Sequence, residues 1–234
     1  MRYFRKSPRV DRKPDRTFVT QADTAIEKAL RERIETRYPT HGVLAEEFGD
    51  RSANQEIRWI IDPIDATHSY LRGLPVFATL IALERAGVLE IGVISAPAMG
   101  GRWHAARGKG AWSGKRRLHV SQIERLEDAQ VFYASRSAFT AVGKEQGFDA
   151  VVGATWRDRG FGDFWGYALV AEGAGEAMFE PELYSWDLAA PLILIEEAGG
   201  RVTDFTGRRT YAGGNALASN GLLHDAILEK LNSA

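Results

Sequence analysis

"WIIDPIDATHSY", Trp59 to Tyr70, carries an apolar run into two aspartates separated by a proline and an isoleucine, with Ala-Thr-His-Ser behind them. The stretch reads as a strand that ends in Asp62, turns on Pro63 and presents Asp65, so that two carboxylates and the Ile64 carbonyl face one point. Like charges so close repel unless one is protonated or a cation lies between them, and a hard dication with oxygen ligands is the usual resolution. The alternative left open by the stretch alone is that both acids cap the following turn or helix.

Working outward, the 234-residue chain is 44% hydrophobic and 26% charged, which suits one large domain or two intimate subdomains. Thirty basic against 31 acidic side chains leave a formal net charge of -1, so there is no global field for nucleic acid or an anionic membrane. The expected partner is a small molecule. With no cysteine, disulfides, thiolate metal sites and a cysteine nucleophile are excluded, and any metal must sit on oxygen or imidazole. This usage suits a cytoplasmic location. No apolar run approaches the ~18 residues of a membrane span, and no apolar stretch follows the basic N-terminus, so neither a membrane segment nor a targeting signal is expected.

Arg2, Arg5, Lys6, Arg9, Arg12, Lys13 and Arg16 make the first segment a solvated basic arm, with Lys13 kept aside as a candidate. Ala25, Ile26, Ala29, Leu30 and Ile34 recur at helical spacing over Thr24 to Arg37, after the possible caps Thr20 and Asp23 and before Pro39. Strands are expected at Arg58 to Ile61, at Phe77 to Leu83 and Leu89 to Ile94 as a hairpin about Ala86-Gly87, at Gly101 to Ala106 and at Leu118 to Val120. The second half alternates: a helix from Asp163 to Glu172, a strand from Ala177 to Glu180, a buried helix from Leu188 to Ala198, strands at Arg201 to Phe205 and Ala216 to Ala218, and a helix from Leu222 to Leu231. Pro191 belongs in a first turn, which puts the start of that buried helix at or just after Asp187. The halves, 1–122 as an α+β unit and 123–234 as an α/β unit, meet around Ser121 to Ala129. Trp165 and Tyr167 read as core.

Further acids converge in this plan. Glu46 and Glu47 follow an apolar turn in "LAEEFGD", and Asp187 heads the buried helix in "YSWDLAAPLILIEEAGG". Each alone is an ordinary cap or surface acid, since aspartate is favoured at helix starts. Their conjunction with Asp62 and Asp65 is much more specific.

On "FVTQAD" (Phe18 to Asp23), "LAEE" (Leu44 to Glu47), "WIIDPIDATHSY" and "SWDLAAPLILIEEAGG" (Ser185 to Gly200), nearly the whole chain resembles the inositol monophosphatase superfamily of metal-dependent, lithium-sensitive phosphomonoesterases. "RGLPVFATLIAL", "ISAPAMGGRWHAARGKGAW", "GFGDFWGYALVAEGAGEAMFEPELYSWDLAA" and "ASNGLLHD" look most like its bacterial, actinobacterial-type histidinol-phosphate phosphatases. The resemblance implies a layered αβαβα sandwich, with an antiparallel half followed by a mixed α/β half. It implies two or three Mg2+ ions on Glu46, Asp62, the Ile64 carbonyl, Asp65 and Asp187, with Li+ as an inhibitor. Phosphate monoester hydrolysis is among the slowest uncatalysed reactions, needing up to ~10²¹-fold acceleration, and metal ions can supply much of it. The resemblance further gives Thr67, hydrogen-bonded to Asp23, the task of orienting the attacking water and taking its proton. It seats phosphate on the amides of Ala66 and Thr67, and it turns Glu180, helped by Asp163, toward the cationic end of histidinol phosphate. Phosphatases of inositol phosphate or sugar phosphates, and a catalytically weak binding or regulatory protein, remain as alternatives.

The chain departs from the family pattern twice. The usual Asp-Gly-Thr is Asp65-Ala66-Thr67 here, followed by His68; where glycine serves a positive φ, alanine costs about 1 kcal/mol. His68 reads as a solvated or hydrogen-bonded histidine, or as a proton-dependent charge beside the phosphate. Relatives also usually begin with an additional amphipathic helix, of which "MRYFRK" resembles the last turn; either the start is misassigned or the helix is lacking, and its loss would leave an apolar groove for dimerisation or a partner to cover, a homodimer being the expected state.

Overall fold

The computed structural model describes residues 1–6, 9–12, 18–50 and 56–233; Lys13 and Arg16 lie outside them. A ribbon of β1 (Val10–Arg12) and β2 (Phe18–Thr20) leads into helix α1 (Gln21–Arg37). The helix starts three residues before Thr24 because Thr20 and Asp23 form a capping box: Thr20 Oγ1 accepts from the Ala22 amide at 3.0 Å, and Asp23 Oδ2 accepts from the Thr20 amide at 2.8 Å. The chain then runs through β3 (Gly42–Ala45), β4 (Gly49–Asp50), β5 (Ile57–Asp65), the short helix α2 (Thr67–Leu71), β6 (Ala78–Arg85), β7 (Val88–Ala96), β8 (Gly101–Ala106), β9 (Gly110–Ser113) and β10 (Arg116–Arg117). These eight strands form one sheet in the order β10-β9-β8-β7-β6-β5-β3-β4, antiparallel except for the β3/β5 pair. Leu118 to Val120 does not join it as a strand. That buried segment makes single bonds, Leu118 N to Ala111 O at 2.8 Å and Val120 N to Ala198 O at 3.1 Å, as it crosses toward the second sheet.

The second sheet has the order β12-β11-β13-β15-β14, built from β11 (Gln130–Phe132), β12 (Arg157–Arg159), β13 (Ala177–Glu180), β14 (Arg201–Thr203) and β15 (Ala216–Ser219). Its β11 pairs are parallel and its β15 pairs antiparallel. Helices α3 (Arg136–Ala141), α4 (Glu145–Val152), α5 (Asp163–Ala171), α6 (Ser185–Glu197) and α7 (His224–Asn232) complete the described chain.

Strand alternation assigns the layers. Ile61 of β5 packs with Val43, Ala45 and Ile34 under α1, while its neighbour Ile60 faces the other way, into a core shared with Leu188, Leu192 and Phe164 of α5 and α6. Phe132, Met178 and Ala218 of the second sheet close that core from the far side, and Phe179 and Leu217 point outward to Phe139, Phe148, Ile227 and Leu231 on α3, α4 and α7. The order is helix, sheet, helices, sheet, helices: an αβαβα sandwich.

Two local expectations need correction. Helix α6 starts at Ser185, so Asp187 is its third residue and Pro191 lies inside the helix, beyond the first turn. The missing proline amide forfeits one bond, which is tolerated because the ring is buried in the central layer. The N-terminal residues are also not merely a solvated arm: the Phe4 ring lies 5.5 Å from Tyr70 and 4.9 Å from Phe77, and the Arg5 guanidinium donates to the Gly73 carbonyl at 3.0 Å.

Candidate metal centre and substrate cleft

Aspartates at positions 62 and 65 of an unbroken strand would point to opposite faces. Strand β5 neither ends at Asp62 nor turns on Pro63; it runs on to Asp65 through a bulge. Asp62 pairs with Leu80 and Asp65 with Ala78, three residues on β5 against two on β6, and the extra residue returns both carboxylates to one side. The bulge is held from β6, where Thr79 Oγ1 donates to the Pro63 carbonyl at 2.8 Å.

Asp187 arrives from the head of α6, and carboxylate oxygens of Asp62, Asp65 and Asp187 lie within 4.8 Å of one another. Helix-start amides hold two of them: Phe164 N of α5 donates to Asp65 Oδ2 at 2.7 Å, and Tyr184 N donates to Asp187 Oδ2 at 2.7 Å. Asp62 Oδ1 is buried and, among the described residues, has no hydrogen-bond partner. Burial, then the charges of its neighbours, first Asp65, raises the Asp62 carboxyl well above the usual range. Burial followed by Asp163 does the same to Asp65, and burial pushes Asp187 up to about 7. Buried, hard, mutually repelling oxygen donors with one orphaned atom fit a divalent cation.

Glu46 sits in the turn between β3 and β4, and its charge acts on both Asp62 and Asp187. It lines, with Ile64, Ala66, Thr67, His68 and Asp163, the same cleft of about 340 Å³ as the three aspartates. Ala66 has φ 66° and ψ 46°, so alanine occupies the left-handed conformation that favours glycine. It caps α2, whose first residue, Thr67, donates its hydroxyl to the Ile64 carbonyl at 2.9 Å. Asp23 is fully buried at the head of α1, where Oδ2 also accepts from the Thr20 hydroxyl at 2.5 Å, and its charge still reaches Asp62.

A recess of about 80 Å³ opens beside Asp65, Asp163 and Asp187, with Glu180 among its lining residues. Glu180 ends β13, and its Oε2 accepts from the Tyr167 hydroxyl at 2.7 Å. Burial, then the Asp163 charge, pushes the Glu180 carboxyl up to about 8. Asp163 is no ordinary helix cap: it is the first residue of α5 with φ 56°, a conformation tolerated better by aspartate than by most residues. Burial raises its carboxyl, and the nearby His68 lowers it.

Tyr167 is buried as expected, yet its hydroxyl serves Glu180, a role the sequence signals only as a lone phenol in an apolar helix that must find a partner. Glu182, Tyr184 and Trp186 also line the cleft, the two rings stacked at 5.0 Å. Nothing local in "ELYSW" marks them, because it is the α6 start that turns them to the opening. Trp165 is partly buried and stacks on Phe161 at 4.6 Å.

A cation-gathering carboxylate cluster between two sheets of an αβαβα sandwich, beside a cleft sized for a small molecule, defines a metal-dependent hydrolase. The sequence profile of the inositol monophosphatase family matches residues 1–234. The chain is 46% identical to a histidinol-phosphatase of Mycobacterium tuberculosis over 230 residues, covering 96% of this chain and 88% of that protein. It is 46% identical to a histidinol-phosphatase of Streptomyces coelicolor over 233 residues, covering 96% and 87%. A Thermotoga maritima IMPase structure superposes with a TM-score of 0.89 at 30% identity, covering 100% of this chain and 91% of that one. The chain therefore belongs to the inositol monophosphatase family, and it is a magnesium-dependent phosphomonoesterase. Among the described residues, no helix is long and apolar enough to cross a membrane.

Proposed function

We propose that the substrate is a phosphate monoester whose alcohol carries a positive charge, with histidinol phosphate the leading candidate. The observation that carries this reading is Glu180: a buried acid fixed by Tyr167, opening on the recess beside the carboxylate cluster. Burial, then the Asp163 charge, raises its pKa, and an ammonium or imidazolium group beside it would favour the charged form. Support also comes from the two relatives whose printed name is histidinol-phosphatase.

In this reading Glu46, Asp62, the Ile64 carbonyl, Asp65 and Asp187 hold two or three magnesium ions. Bound there, magnesium supplies Lewis-acid activation of water and neutralises charge on the attacking and leaving oxygens. The amides of Ala66 and Thr67 receive the phosphate. Thr67 Oγ1 orients the attacking water and, turned from the Ile64 carbonyl toward Asp23, passes its proton to that carboxylate. Asp163 and Glu180 bind the cationic end of the substrate, which sets its phosphorus over the carboxylates. The same reading places the enzyme in histidine biosynthesis in the cytoplasm, as a homodimer inhibited by Li+.

The test is phosphate release from histidinol phosphate, inositol 1-phosphate and sugar phosphates, each with and without magnesium. A kcat/KM for histidinol phosphate no higher than for the neutral esters would overturn the substrate assignment and favour an inositol or sugar phosphatase.

A further inference from the structure

Helix α1 buries an ion pair at positions outside its apolar stripe, where charges ordinarily face water. Glu27 is fully buried and Arg31 nearly so, and Arg31 Nε donates to Glu27 Oε1 at 2.8 Å. An isolated buried pair gains little over apolar side chains, so its remaining bonds identify its use. Those bonds all go to one place. Glu27 Oε2 accepts from the Glu47 amide at 2.7 Å and Oε1 from the Phe48 amide at 3.1 Å. Arg31 donates to the Gly49 carbonyl at 2.5 Å and to the Val43 carbonyl at 3.5 Å. The pair thus grips the backbone on both sides of Glu46, which is itself tied to β5 by its amide on the Ile61 carbonyl at 3.3 Å.

We propose that Glu27 and Arg31 are positioning residues that clamp the β3–β4 turn and so set the reach of the Glu46 carboxylate toward the metal site. The inference rests on the reading of Glu46 as a metal ligand. Among the described residues β3 and β4 pair at Leu44 with Asp50 and Ala45 with Gly49, and the clamp adds four bonds to the backbone of that turn. A ligand carried on a turn reaches a metal reproducibly when neighbouring groups fix the backbone that bears it. The charge of Glu27 also suits the task better than an amide would: two backbone N–H groups and a guanidinium converge on it, and a carboxylate accepts from all three while a glutamine must turn one N–H toward a donor.

The experiment compares Glu27→Gln, Arg31→Lys and Glu46→Gln with wild type, reading Mg2+ affinity by calorimetry and the rise in Tm on adding saturating Mg2+, alongside the Mg2+ dependence of kcat. The expected result is that Glu27→Gln weakens Mg2+ binding about tenfold, within the 10- to 100-fold range of residues that orient metal ligands, while KM for the ester at saturating Mg2+ stays within about twofold. Arg31→Lys keeps the charge beside Glu27 but not the grip on Gly49, and it shifts affinity in the same direction by less. Ile227→Ala, which opens a cavity under α7 far from this turn, lowers Tm with Mg2+ affinity unchanged and so shows what lost stability alone does. Unchanged affinity in Glu27→Gln beside a weakened Glu46→Gln would overturn the clamp and leave the ligand reading standing. Unchanged affinity in Glu46→Gln would overturn both.

Discussion

Ala66→Gly separates two costs that a strained residue at a phosphate site can carry. At φ 66° and ψ 46° the alanine Cβ crowds its own carbonyl, costing about 1 to 2 kcal/mol that glycine avoids. Against this, glycine gives the unfolded chain more freedom, worth about 0.4 to 1 kcal/mol. At the middle of both ranges the balance is a gain of roughly 0.8 kcal/mol, and for a domain of this size about 2 to 4 °C in Tm accompanies each kcal/mol. The expected outcome is therefore a Tm increase of about 1 to 4 °C in scanning calorimetry. The backbone strain is the same in free enzyme and transition state, so its relief cancels from kcat/KM; only removal of Cβ from the path of the phosphate would register there. Hence kcat/KM at saturating Mg2+ is expected to rise by less than about threefold. A fall in Tm would refute the strain argument, and a tenfold rise in kcat/KM would show that Cβ obstructs the substrate directly.

Asp65→Asn and Asp187→Asn should each lower kcat by at least ~100-fold with the fold intact by circular dichroism, since a neutral amide binds a hard dication poorly. In the presence of a chelator, Asp187→Asn should be more stable than wild type at pH 8: an acid raised to about 7 in the folded state destabilises increasingly as pH climbs above its unfolded value, and the amide removes that repulsion. Glu180→Gln should raise KM for histidinol phosphate by about 10- to 100-fold, as expected for a charged hydrogen bond of ~1.5 to 3 kcal/mol, and leave a neutral sugar phosphate within threefold. His224 is buried between Ser219 Oγ at 2.8 Å and Thr203 Oγ1 at 2.9 Å, and burial lowers it to about 4. The unfolded chain then binds the extra proton first, so this contribution is fully present above about pH 6.5 and is lost as pH falls toward 4, up to about 3 kcal/mol. His224→Gln should flatten that acid limb in chemical denaturation.

The regular elements were legible wherever a period of two or 3.6 ran long enough. The β6–β7 hairpin, α5 and α6 all lie within a few residues of where alternation and apolar runs put them. The two-stranded pairings and the short helices α3 and α4 carry too few residues for any period to speak. The four acids Glu46, Asp62, Asp65 and Asp187 were legible as types and as a conjunction. The meeting of Asp62, Asp65 and Asp187 was expected too, but not its means: a strand ending at Asp62 and a turn on Pro63 were read where a bulge carries the strand on to Asp65, since the proline announces an irregularity without saying which way the chain bends. The Phe164 amide on Asp65 ties the first sheet to the head of α5, 99 residues on, and leaves no trace in local sequence. Glu27 and Arg31 were passed over because charges at those helix positions ordinarily face water.

How the chain compensates its buried acids distinguishes the site from the scaffold. Glu27 has Arg31, Glu84 has Arg58 and Tyr211, and Asp204 takes the Thr206 amide, the Arg208 amide and the Arg208 side chain. Asp62, Asp65, Asp163, Glu180 and Asp187 are different: among the described residues none forms an ion pair with lysine or arginine, and the groups that serve them are single amides and one phenol. Burying that much negative charge without internal cations costs several kcal/mol per ion. A fold under no functional demand would lose those carboxylates to neutral residues. Their gathering in one cleft, drawn from both sheets, fits the proposed reading in which bound cations supply compensating positive charge. On the proposed function two kinds of cation would suffice: magnesium at Asp62, Asp65 and Asp187, and the cationic part of the substrate at Asp163 and Glu180. On this view metal binding and substrate choice are one electrostatic problem, solved at neighbouring points of the same cleft.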